Sequence, residues 1–146
     1  MNVKNYLSQA YWLDQRINNK LEQVANLRDM ATKATASIHA ERVSGTKQRS
    51  PMENAIVKII DLEHDINNEI DKLIDLKREI VSVINKVQLP EHGILLELRY
   101  LNFKTWEEIA DIMNFSWRNI HYVHSKALIA VEKSQLCMVL HSQPKI

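Results

Sequence analysis

The 146-residue chain holds one cysteine, two glycines and three prolines. A lone Cys137 permits no internal disulfide and no cysteine-based zinc site, and it fits a reducing compartment. With only Gly45 and Gly93, the chain lacks the turns of a β-sandwich and the glycine-rich loops that cradle nucleotide phosphates. Long apolar runs are missing as well. None is longer than five residues, the length of Leu136 to Leu140, against the roughly 20 that a membrane-spanning helix needs. Residues 1–16 carry Lys4 and Asp14 where a signal peptide would need an apolar core. The expectation is a cytoplasmic chain with no membrane partner.

Enough apolar surface is present to build a core, since 45% of residues are hydrophobic, and that argues against intrinsic disorder. The formal charge of +1 hides an uneven distribution: residues 1–50 carry +4, residues 51–89 carry −3 and residues 90–133 carry −1. A basic first third beside an acidic second predicts two elements that attract one another.

Apolar side chains recur at Tyr6, Ala10, Leu13, Ile17, Val24, Leu27, Ala31, Ala34 and Ile38. These steps of three and four mark one helix face, interrupted by Lys20. A polar loop follows over 41–50 and ends in a helix start, with Ser50 as cap, Pro51 at the first helical position and Glu53 completing a capping box. A second helix runs to about Val87 on Ile59, Leu62, Ile66, Leu73, Leu76, Ile80, Val83 and Val87, interrupted by Glu69. Ile56, Ile60, Ile70, Ile74, Val81 and Ile84 widen this stripe beyond what one partner helix covers. The first helix is one neighbour; the C-terminal segment or a second copy of the chain is the other.

Pro90 breaks the pattern, and shorter helices follow at roughly 91–101, 105–113 and 116–133. Thr105 with Glu108 forms another capping box. Over 105–131 the spacing is that of a helix-turn-helix: Ala110 where two helices approach, and Asn114 tolerating a left-handed turn. Ile120 and Val123 then close a small core on Ile109, Met113 and Phe115. The outward face of the last helix presents Trp117, Arg118, His121, Tyr122, Ser125 and Lys126, donors able to reach phosphates and base edges in a major groove. The fold class expected is all-α: a long antiparallel helical hairpin over 1–88, a helix-turn-helix domain over 89–133, and a tail over 134–146.

Leu89-Pro-Glu, Leu98-Arg-Tyr100, Trp106-Glu-Glu-Ile-Ala110 and the run Ser116 to Leu128 together resemble region 4 of bacterial sigma factors. A long hairpin followed by such a region is similar to small prophage-encoded regulators of Gram-positive bacteria. The resemblance implies a double-stranded DNA partner. It places base reading at Trp117, Arg118, His121 and Tyr122, and phosphate contacts near Lys104, Thr105, Trp106, Asn119 and Lys126. Nothing in residues 1–88 resembles the sigma region that melts the −10 element, so a regulator is implied rather than a complete sigma factor. RNA polymerase stays open as a second partner. Self-association through the hairpin, as a homodimer or larger homo-oligomer, would bring two modules to two half-sites, with Arg42, Lys47 and Arg49 adding phosphate contacts.

Other chemistries are less well supported. Trp106 reads as a packing residue and Trp117 as an exposed one. His121 and His124 lie three apart without a third metal ligand and read as solvent-facing. The series Asp61, His64, Asp65, Asp71 and Asp75 lies largely off the apolar stripe and reads as a solvated face rather than a di-iron site. No nucleophile with a supporting base stands out, so neither catalysis nor a cofactor is expected. Two competing functions remain: a packaging protein like a small terminase subunit, and a polymerase-binding adaptor that reads no DNA.

Overall fold

A computed structural model describes residues 2–38 and 50–141. Every regular element among them is helical: α1 (Val3–Ile38), α2 (Pro51–Ile84), α3 (Pro90–Leu96), α4 (Trp106–Met113) and α5 (Trp117–His141), with a π-helical stretch over Glu97–Leu101 continuing α3. The all-α expectation is met, with the long hairpin helices first and the helix-turn-helix after them. The loop expected over 41–50 lies outside the described residues except for Ser50, and so do its Arg42, Lys47 and Arg49. Ser50 Oγ accepts the Glu53 amide at 3.2 Å, which starts α2 where the sequence signals a helix.

Two compact units divide the chain, one made of Met1–Trp12 with Leu73–Ile146 and the other of Leu13–Lys72. In the second unit α1 and α2 run antiparallel. Lys20 pairs with Glu69, while Arg28, farther along α1, pairs with Glu63, which comes earlier on α2. Ile17, Val24, Ala55 and Ile66 form its buried apolar positions. Asp61, His64, Asp65, Asp71 and Asp75 are all exposed along α2, the first four in this unit, as a solvated face requires.

The first unit holds the larger core. Leu7 and Ala10 of α1 and Ile80, Val83 and Ile84 of α2 join Leu95, Leu96, Tyr100, Ile109, Ile120, Val123, Ala127 and Val131 in one buried cluster. The ends of the hairpin helices and the helix-turn-helix thus share their apolar interior. The Tyr6 hydroxyl lies against Glu79, and burial with that hydrogen bond pushes its pKa up to about 12. Of the residues that widen the α2 stripe, Ile84 is buried, whereas Ile56, Ile60, Ile70, Ile74 and Val81 are exposed. The apolar segment starting at Leu136 continues α5 as helix through His141. No helix among the described residues is long and apolar enough to cross a membrane.

Candidate nucleic-acid interface

The candidate interface runs from the C-terminal side of the π-helical stretch through the first half of α5. A π turn carries five-residue hydrogen bonds, seen here as the Asn102 amide donating to Glu97 O at 3.0 Å. It departs from the 3.6-residue register, and Arg99 lies within it. Its Nη1 donates to Lys104 O at 2.9 Å, while its guanidinium carbon lies 4.5 Å from the Trp106 ring centroid. Phe103, at φ 56°, takes a left-handed conformation unusual for a bulky residue. Tyr11 packs against its ring edge-on at 5.8 Å, and the Lys77 ammonium lies 4.7 Å above it.

Thr105 caps α4 in full. Its hydroxyl accepts the Glu108 amide at 3.2 Å, and Glu108 Oε2 accepts the Thr105 amide at 2.8 Å. These bonds to Thr105, foremost the backbone one, hold the Glu108 carboxyl below the ordinary carboxylate range, with Lys104 adding to the effect. The helix ends at Asn114, whose φ 57° and ψ 39° are left-handed. Phe115 closes the turn by donating its amide to Ala110 O at 3.0 Å. Ser116 then caps α5, its Oγ accepting the Asn119 amide at 3.1 Å. Ile109 and Ile120 are fully buried, and Met113 and Phe115 pack against the buried cluster that also holds Val123. The small core expected of a helix-turn-helix is therefore in place.

With 120, 123 and 127 turned inward, helical geometry turns 118, 122, 125 and 126 outward. Arg118, Asn119, Ser125 and Lys126 are exposed, as are Trp117 at 57% and Tyr122 at 61%. Lys126 Nζ lies 5.5 Å from the Tyr122 ring centroid. Lys104 and Trp106 are half-buried and Thr105 exposed, with the Thr105 side chain committed to its cap. Trp106 packs against the core, as a packing residue should.

One expectation is corrected. His124 does not face solvent: it is 7% exposed, and its Nε2 sits 2.7 Å from the Tyr100 hydroxyl. Position 124 follows 120 by four residues and precedes 127 by three, which puts it on the core stripe. Burial, followed by the electrostatic influence of Lys4, Arg99 and His121, lowers its pKa to about 4, so the ring is neutral near pH 7. His121 is half-buried and lies between two indoles, 5.0 Å from Trp106 and 4.7 Å from Trp117 between ring centroids.

An ordered row results, Arg99 on Trp106, Trp106 on His121, His121 on Trp117. The sequence places Arg99 inside the Leu98-Arg-Tyr100 motif but gives no sign of its part in this row. Arg99 lies within the π turn, which leaves no trace in apolar spacing.

A family model described as Protein of unknown function (DUF1492) matches residues 32–132. The chain belongs to this family. The DUF1492 match takes in α2, α3, α4 and the first part of α5, and with them the whole row from Arg99 to Trp117. No curated protein and no solved structure matches the chain.

Proposed function

We propose that this chain is a sequence-specific, DNA-binding transcriptional regulator of prophage type, with a helix-turn-helix like that of sigma region 4. In this reading α5 enters the major groove and presents Trp117, Arg118, His121 and Tyr122 to base edges. Lys104, Asn119 and Lys126 meet phosphates, together with the Thr105–Trp106 corner. The observation carrying it is the outward face of α5 beside a well-formed turn. From Ser116 to Val131 the charged residues are Arg118 and Lys126, with no carboxylate. Such a face complements a polyanion, although residues 90–133 as a whole carry −1.

A single module with so few cations binds weakly, because phosphate neutralisation supplies most non-specific affinity. Self-association would compensate by engaging two half-sites. The exposed isoleucines of α2 support this role for the hairpin. The net −1 favours one competitor, an adaptor that contacts RNA polymerase without reading DNA. Fluorescence anisotropy with the full chain and mixed-sequence duplexes at rising salt separates the two. The regulator predicts affinity that falls linearly on logarithmic axes with salt; the adaptor predicts no binding at any salt.

A further inference from the structure

The α5 face is unusual in leading with a large apolar ring. Trp117 is the first residue of α5 and stands 57% exposed, at the end of a recognition helix that contacts base edges in helix-turn-helix complexes. Its indole is not loose. It meets His121 edge-on at 4.7 Å and 73°, His121 is backed by Trp106, and Trp106 by Arg99. A ring held by such a row forfeits little freedom on binding.

The chemistry of the ring limits what it can read. An indole offers apolar surface and one N–H donor, and it has no acceptor. In the major groove, cytosine and adenine each present an amino donor that an indole cannot satisfy, and guanine presents acceptors without apolar surface. Thymine presents a 5-methyl group beside the O4 acceptor, which matches apolar surface next to a single donor. Arg118, the neighbouring exposed cation, has the fork that suits guanine instead.

Building on the DNA-binding reading above, we infer that Trp117 is the thymine-reading residue of this interface, packing on the 5-methyl group with its ring against His121. Deoxyuridine keeps O4 and removes only the methyl, so it isolates this contact while leaving the protein unaltered.

The test uses full-length protein and two duplex pools of identical random sequence, one made with thymidine and one with deoxyuridine, competed at moderate salt. The wild type is expected to prefer the thymidine pool by about four-fold per contacted methyl, from the transfer of one apolar carbon out of water. Trp117→Ala is expected to bind both pools alike, with circular dichroism reporting that it stays folded. Equal binding of both pools by the wild type, with DNA binding intact, overturns the inference and leaves the regulator reading standing. A thymidine preference that persists in Trp117→Ala assigns the methyl contact to another residue and overturns it too. Binding to neither pool overturns both readings.

Discussion

Lys20 Nζ lies 2.9 Å from Glu69 Oε1, so the polar residue that interrupts the apolar face of α1 is paired with the one that interrupts α2. Arg16 adds a longer contact to the same oxygen at 3.8 Å. Glu69 is 9% exposed, and its Oε2 has no hydrogen-bond partner among the described residues. A partly buried pair of this kind adds little over an apolar pair but is costly to break, since removing one partner takes from the other its shortest charge contact. It also disfavours any sliding of α1 on α2 that would separate the two charges.

Lys20→Met should therefore destabilise the protein by about 1–3 kcal/mol, because it leaves the mostly buried Glu69 carboxylate with the longer contact to exposed Arg16. The double variant Lys20→Leu with Glu69→Leu should regain most or all of that loss. Equilibrium urea unfolding of the three proteins checks both statements. A double variant no more stable than Lys20→Met would show that the charges do more than satisfy each other.

The buried Tyr100–His124 pair makes stability depend on pH. The folded ring has its pKa near 4 against an ordinary 6.5, so between these values the unfolded chain binds more protons than the folded one. Stability from this group is fully present above pH 6.5 and is lost as pH falls toward 4, by up to about 3 kcal/mol. Thermal melts from pH 4 to 7 should show a steeper decline for the wild type than for His124→Gln. Parallel curves would mean that His124 is not desolvated in the folded state.

Asn114 holds the turn in a left-handed conformation, φ 57° and ψ 39°, which costs a β-branched residue about 1–2 kcal/mol and glycine almost nothing. Asn114→Gly should melt within a few degrees of the wild type. Asn114→Val should melt clearly lower and, by loosening the entry to α5, weaken DNA binding as well.

Arg118 and Lys126 are both exposed on α5 but should fail differently. Arg118→Ala should relax preference at one base pair and cost about 1–3 kcal/mol on the preferred sequence if the guanidinium forks onto guanine. Lys126→Ala should weaken all sequences alike and reduce the salt slope by about one. Titrations on preferred and scrambled duplexes at several salt concentrations separate the two roles. Affinity unchanged by both substitutions would remove α5 from the groove.

Local signals were legible in the sequence wherever one stretch of chain decides the structure. The Thr105–Glu108 capping box, the left-handed turn at Asn114, the start of α2 at Ser50–Pro51 and the inward Ile109, Ile120 and Val123 all depend on neighbours a few residues away. Lys20 and Glu69 read as separate interruptions because their pairing joins positions 49 residues apart. His124 read as exposed because histidine is polar, although its place between Ile120 and Ala127 puts it inside. The π turn leaves no trace in apolar spacing, which assumes an α-helical register, and neither does the place of Arg99 over Trp106.

The most direct measurement is selection of bound sequences from a random duplex pool by the full-length protein at moderate salt. A sequence-specific regulator that pairs two modules predicts an enriched motif arranged as an inverted repeat, its half-sites about one helical turn apart. A pool that emerges with no enriched sequence contradicts base reading by α5.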